Sequence, residues 1–179
     1  PWTSTSPQVL HAKDFPPDYA PEFMHFRAQS GARMLVDDPQ ISFDELTRYR
    51  SSTRLSLADA VLDDLIADAR QSKEPLLLKA AATLANWDRQ TTADSSGAIL
   101  FQAWVTALMQ KGVLNDEFYK EKWTADRALE TPRGIAKPEE AIAALRSAAA
   151  DTVKNFGDLN EKWGDAVRIE YGGKDLPAN

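Results

Sequence analysis

A chain of 179 residues with 43% hydrophobic content can bury a real core as one compact domain, or serve as a large piece of a bigger protein. Its 27 acidic residues against 21 basic ones give a net charge of -6 with no Lys/Arg cluster, which opposes a nucleic-acid partner. Cysteine is absent, so disulfides, thiolate metal sites and a Cys nucleophile are excluded, and no apolar run or leading signal segment suggests a membrane partner.

Residues 1–21 carry Pro1, Pro7, Pro16, Pro17 and Pro21 among Ser and Thr, with Val9, Leu10, Phe15 and Tyr19 scattered through them. That pattern predicts an extended segment wrapped along a surface. From Pro21 the sequence EFMHFRAQSGARML reads as a helix with Phe23, Phe26, Ser30 and Met34 on one side, ending near Asp37, Asp38 and Pro39. Ser42 followed by Glu45 is a capping box that opens a short helix with Leu46 and Tyr49 inward, and Ser56 with Asp59 repeats the device. The helix it opens, Leu57 to Arg70, is apolar at Leu57, Val61, Leu65 and Ala69 and again at Leu62 and Ile66, a stripe wide enough for two neighbours.

Leu76 to Leu108 is the stretch around which the chain is organised, and it reads as two helices joined by a polar turn. Leu77, Ala81, Leu84 and Trp87 share a face of the first, which can begin at Pro75. Leu100, Phe101, Trp104 and Leu108 stripe the second, opened by Asp94, Ser95 or Ser96 and closed by Gly112. An antiparallel helical hairpin with two tryptophans in a shared core follows. Beyond it come an aromatic segment with Phe118, Tyr119 and Trp123 and a turn-rich Thr131-Pro132-Arg133-Gly134. A long helix opens at Pro138 with Ile142, Leu145, Ala149, Val153 and Phe156 inward, alanines suited to close packing, and a stop at Gly157. Val167, Ile169 and Tyr171 alternate with Arg168 and Glu170, the pattern of a single β-strand, and a strand without a partner suggests a sheet elsewhere. The fold class expected is mainly α, with helical hairpins: an extended segment over 1–21, a helical region over 22–157, and a turn with one strand over 158–179.

Little of this carries chemistry by itself. The histidines are His11 and His25, too few and too separated for a zinc site, and a Ser-His-Asp triad would need partners chosen at will. Gly172-Gly173 lacks the further Gly or Lys of a phosphate cradle and reads as a turn. The pairs Asp37-Asp38, Asp63-Asp64 and Glu139-Glu140 sit at helix ends or solvated faces, where a dipole or solvation role explains them. Trp2, Trp87, Trp104, Trp123 and Trp163 fit a core better than a ligand pocket. Arg33 is the most suggestive charge: Ser30, Gly31 and Ala32 leave room before it, and its planar fork suits a carboxylate or amide oxygen, with an interhelical salt bridge as the plainer role.

Taken in order, PWTST, FRAQSGARML, the pair Trp87-Asp88, SSGAILFQAW, TPRG and GGKDLPAN resemble the β subunit of the penicillin acylase family, nearest the branch of acyl-homoserine-lactone and cephalosporin acylases. The resemblance implies an internal helical fragment of an αββα N-terminal-nucleophile amidohydrolase, found in the periplasm or secreted. In such enzymes a Ser at the start of the β subunit attacks an amide carbonyl with its own α-amine as base. Here Pro1 stands first, and the oxyanion-hole Asn of the family's Asn-x-Asn motif would precede it, so the polypeptide alone is expected to be inactive. Arg33 matches the family arginine that holds the oxyanion Asn and substrate polar groups, in a supporting electrostatic role. Glu22 loosely matches an acid that binds structural Ca²⁺ in some members, while no cofactor is required. The implied partners are the rest of the acylase, its α subunit and β-subunit core, and a small-molecule amide. A non-catalytic helical binding module is the alternative.

Overall fold

The periodic apolar stripes become helices in the computed structural model, which describes residues 14–16, 18 and 23–177. In chain order the elements are α1 (Phe26–Val36), α2 (Phe43–Arg50), α3 (Ser56–Arg70), α4 (Pro75–Asn86), α5 (Ala98–Gln110), β1 (Tyr119–Glu121), β2 (Arg133–Ile135), α6 (Pro138–Phe156), α7 (Trp163–Ala166), β3 (Arg168–Tyr171) and β4 (Lys174–Pro177). The chain is thus mainly helical, as its periodicity predicts, and it carries four short strands among the described residues where one is expected. By contacts it divides into two units, Pro1–Ser52 with Glu121–Arg133, and Thr53–Lys120 with Gly134–Asn179. The extended segment expected over 1–21 lies largely outside the described residues.

The larger unit is a helical core. On α3, Ala58, Val61, Leu62, Leu65, Ile66 and Ala69 are buried, and this double stripe meets α4 and α6, the two neighbours its width demands. Pro75 starts α4, where its missing N–H is harmless, and Leu77, Ala81, Leu84 and the following Trp87 are all buried as the spacing predicts. Trp87, Phe101, Trp104, Phe118 and Tyr119 form a continuous run of rings with centroids 5.1, 5.4, 6.1 and 5.5 Å apart. The two tryptophans do share a core. The hairpin reading needs one correction: α4 packs chiefly on α3 and α6, and α5 on α6, so the arms lean on other helices more than on each other. Alanine explains the α5–α6 closeness, because Ala141, Ala144, Ala148 and Ala149 put no bulk on the buried face of α6. That face is turned slightly from the expected one, leaving Phe156 41% exposed.

Helix ends follow local chemistry, with two departures. Gly112 and Gly157 take left-handed backbone just past α5 and α6, as C-terminal glycines do. The start of α5 is Gly97 with φ 101 instead of Asp94, Ser95 or Ser96, because the backbone passes against Trp87: a Cβ there would lie 2.8 Å from the Trp87 Cβ. At α3 the expected capping box does not form. Leu55 is the N-cap, and Asp59 turns instead to Arg54, with bonds of 2.9 and 2.7 Å.

The C-terminal strand is present, but it is not single. After Gly172 (φ 58) and Gly173 (φ 75), β4 returns antiparallel to β3, pairing Ile169 with Leu176 and Tyr171 with Lys174. Its backbone partner is therefore within the chain. β1 and β2 form a second two-stranded sheet.

In the smaller unit, Ser42 and Glu45 make the predicted capping box at α2: the Ser42 hydroxyl accepts from the Glu45 N–H at 3.3 Å, and Glu45 accepts from the Ser42 N–H at 2.9 Å. These bonds from Ser42 hold the Glu45 carboxyl below its usual pKa. Leu46, expected inward, is 51% exposed, whereas Tyr49 is half-buried and donates to Asp38 at 2.9 Å. On α1, Phe26, Ser30 and Met34 are only partly covered, and the one buried residue of that helix is Gln29.

Candidate functional site

Arg33 lies in the last turn of α1, where a cation is favoured by the helix dipole, and Gln29 lies one turn earlier on the same face. Both reach the segment Glu121–Arg133. The Arg33 guanidinium donates through Nη2 to the Leu129 carbonyl. The Gln29 amide donates through Nε2 to the carbonyls of Met24 and Thr131, each at 2.8 Å. Those bonds use both amide hydrogens, and the buried Oε1 has no hydrogen-bond partner among the described residues.

The segment these residues hold is closed on itself. Ala125–Arg127 is a single 3₁₀ turn, and beside it the Trp123 indole donates to the Ala128 carbonyl at 3.2 Å. Thr131 donates from Oγ1 to the Arg127 carbonyl at 2.9 Å and accepts from the Thr124 N–H at 3.0 Å. Arg127 forms ion pairs with Glu130, at 2.9 Å, and with Glu121, and these partners raise its pKa further. The Trp123 ring meets Phe23 edge to face at 5.7 Å. To α1 the segment offers the Leu129 and Thr131 carbonyls.

Arg127 is neutralised by two carboxylates, but the carbonyl that holds Arg33 carries no charge. Among the described residues no carboxylate pairs with Arg33. A half-buried guanidinium fixed by one N–H keeps further donors for an anion or a polarised carbonyl oxygen. That is electrostatic chemistry, with no nucleophile in it.

The other sequence candidates are not gathered here. Glu22 lies outside the described residues, as does His11. Among the described residues no group of three or more His, Asp or Glu side chains is placed to hold a metal. His25 is the exposed N-cap of α1 with its ring edge-on to Phe23 at 4.8 Å. The acidic pairs do structural work: Asp63 pairs with Arg89, Asp64 accepts from Lys120 at 2.8 Å and from the Ile135 N–H at 3.0 Å, and Glu139 and Glu140 occupy the first turn of α6. The Trp87-Asp88 pair fixes the α4–α5 loop, since the Trp87 indole donates to the Gln90 carbonyl at 2.7 Å and Asp88 accepts from the Gln90 N–H at 3.0 Å. In Thr131-Pro132-Arg133-Gly134 the Thr131-Pro132 bond is cis.

Sequence reasoning passes over Gln29, since a glutamine in an amphipathic helix reads as solvated. The signal for it is its four-residue spacing before Arg33, which puts both on the face that meets the Glu121–Arg133 segment.

Compared with known families, the chain matches the family model for penicillin amidase over residues 3–174.

Proposed function

This chain belongs to the penicillin amidase family, a family of amide hydrolases, and from that membership we propose that it is the helical part of an N-terminal-nucleophile acylase. The parent enzyme cleaves the acyl side-chain amide of a β-lactam, an acyl-homoserine lactone or a related amide. The observation that carries this reading within the chain is Arg33, whose guanidinium is anchored on the neutral Leu129 carbonyl with no carboxylate partner among the described residues.

In the proposed reaction the Oγ of the parent enzyme's N-terminal Ser attacks the amide carbonyl carbon while the α-amine of that Ser takes its proton. The C–N bond then breaks, the proton passes to the departing amine, and water hydrolyses the remaining acyl ester. Negative charge gathers on the carbonyl oxygen as it is attacked. Arg33 supports the groups that stabilise it, a contribution that grows as the charge develops. No step calls for a cofactor, and a structural calcium in the parent would be held by oxygen ligands. We place the parent in the periplasm or outside the cell, partnered by its own α subunit and β-subunit core.

The test is a panel of acyl amides, including penicillins, cephalosporins and acyl-homoserine lactones, incubated with the complete protein while released primary amine is measured. Release is expected from at least one class. Arg33→Met should slow it by less than the roughly hundred- to thousandfold that follows loss of a direct oxyanion donor. No release from any amide would sink the reading and favour a helical binding module.

A further inference from the structure

We infer that Gln29 is a positioning residue for Arg33, acting through the segment Trp123–Thr131 that both side chains hold. The inference rests on the reading of Arg33 just given. Arg33 has a long stem with four rotatable bonds, and its direction is fixed by the Leu129 carbonyl. That carbonyl is only as fixed as the segment carrying it. Two residues further on, the Thr131 carbonyl is bound by Gln29 Nε2, whose other hydrogen is committed to Met24 within the same stretch of chain that leads into α1.

The chemistry of the site explains why the residue is a glutamine. Two carbonyl oxygens converge on one point of α1, so the side chain must present two N–H donors from a single nitrogen. A carboxamide does this without charge, and at 1% exposure a charge there would be costly. Glutamate would set an oxygen against both carbonyls. Methionine would match the shape and leave both carbonyls without this donor. The rest of Trp123–Thr131 is bound to itself, through Trp123 with Ala128 and Thr131 with Arg127 and Thr124, so it moves as one piece and not residue by residue. Freeing the Thr131 end therefore shifts the Leu129 end. A shift of the order of 1 Å in a positioning group costs about a hundredfold in rate.

The experiment is a double-mutant cycle in the complete protein, with amine release from its best amide substrate as readout. Gln29→Met and Gln29→Asn are each made with Arg33 intact and with Arg33→Met. The asparagine keeps both donors on a stem one methylene shorter. With Arg33 present, Gln29→Met should lower kcat by tenfold to a hundredfold with little change in KM, and Gln29→Asn should lose less. With Arg33→Met in place, either Gln29 substitution should cost at most twofold more, because the group it positions is gone. Equal losses in both backgrounds would make Gln29 a structural residue only and overturn the inference, as would no loss in either. Should Gln29→Met fail to fold, Gln29→Asn decides by the same comparison. Failure of both to fold assigns Gln29 to folding and also overturns the claim. If the unsubstituted protein hydrolyses its amide but Arg33→Met does so equally well, the role given to Arg33 fails first.

Discussion

The indole N–H of Trp104 on α5 donates to the Ala141 carbonyl on α6 at 2.9 Å, a buried bond across the alanine-lined interface of the two helices. Trp104 is fully buried, and its ring lies between Phe101 and Phe118. One side chain thus supplies both the bulk that fills the interface and the polar contact that sets its register.

Trp104→Phe keeps an aromatic ring but loses the donor and part of the volume, so it should destabilise by about 1–3 kcal/mol. Trp104→Ala empties the centre of the ring run and should cost about 3–5 kcal/mol. Urea unfolding monitored by far-ultraviolet circular dichroism checks both. An alanine variant as stable as the phenylalanine variant would show that the ring run is not the centre of the core.

Gly97→Ala tests why α5 begins where it does. The new Cβ would sit 2.8 Å from the Trp87 Cβ and 3.1 Å from its Cγ, and φ 101 lies outside the range that alanine favours. Backbone strain of about 1–3 kcal/mol is expected, with overpacking against Trp87 in addition. Gly112→Ala is the control: its φ is 65 with nothing within 4 Å, so only the left-handed penalty of roughly 1–2 kcal/mol applies. Equal losses at the two sites would show that the contact with Trp87 is easily relieved.

Gly97 also marks the limit of what the sequence tells. The stripes of α3, α4 and α5 were legible because burial repeats every three or four residues and needs no knowledge of partners. Ser42 and Glu45 were legible because a capping box is closed within four residues. Ser56 with Asp59 has the same spacing, yet the Asp59 carboxylate is claimed by Arg54 and by Arg89, the latter at 3.3 Å, thirty residues along the chain. Leu46 is exposed although it sits at helical spacing, because such spacing marks a face without saying that anything covers it. β4 is not legible because Lys174-Asp175-Leu176-Pro177 offers one clear apolar residue and ends in proline, which a strand tolerates only at an edge. At the candidate site Arg33 was legible as a charge beside small residues. Gln29 was not, since its role depends on carbonyls that the chain brings back about a hundred residues later.

Asp64 is the next test, because one carboxylate oxygen on α3 accepts both from Lys120 Nζ at 2.8 Å and from the Ile135 N–H at 3.0 Å. It raises the Lys120 pKa, first by hydrogen bonding and then by charge. Ile135 is 1% exposed, so Asp64→Ala leaves a covered N–H without this partner and should cost about 1–3 kcal/mol. Asp64→Asn can still accept from Ile135 while losing the attraction to Lys120, and it should cost less. Amide exchange at Ile135 reports this directly: it should quicken strongly in the alanine variant and little in the asparagine one. Unchanged exchange in Asp64→Ala would mean that β2 is held by its pairing alone.

Tyr119 gives the pH dependence. Burial, and then the nearby Asp116 carboxylate, push its phenol up to about 12 from the ordinary 10.0, since both disfavour the phenolate. The folded pKa lies above the unfolded one, so the folded chain holds this proton more tightly. The stability that this contributes is complete below pH 10.0 and is lost as pH rises through about 12. Phenolate absorbance should therefore show Tyr119 ionising late, and also Tyr49, whose hydrogen bond to Asp38 raises its pKa, and the protein should lose stability to urea across that window. Tyr119→Phe removes this ionisable group and should lessen the alkaline decline, leaving the part that Tyr49 contributes. Asp116→Asn removes the smaller cause and should move the late ionisation down only slightly, because burial remains. An alkaline decline unchanged by Tyr119→Phe would place its origin in another group. A large downward move in Asp116→Asn would mean that charge, not burial, holds the proton on Tyr119.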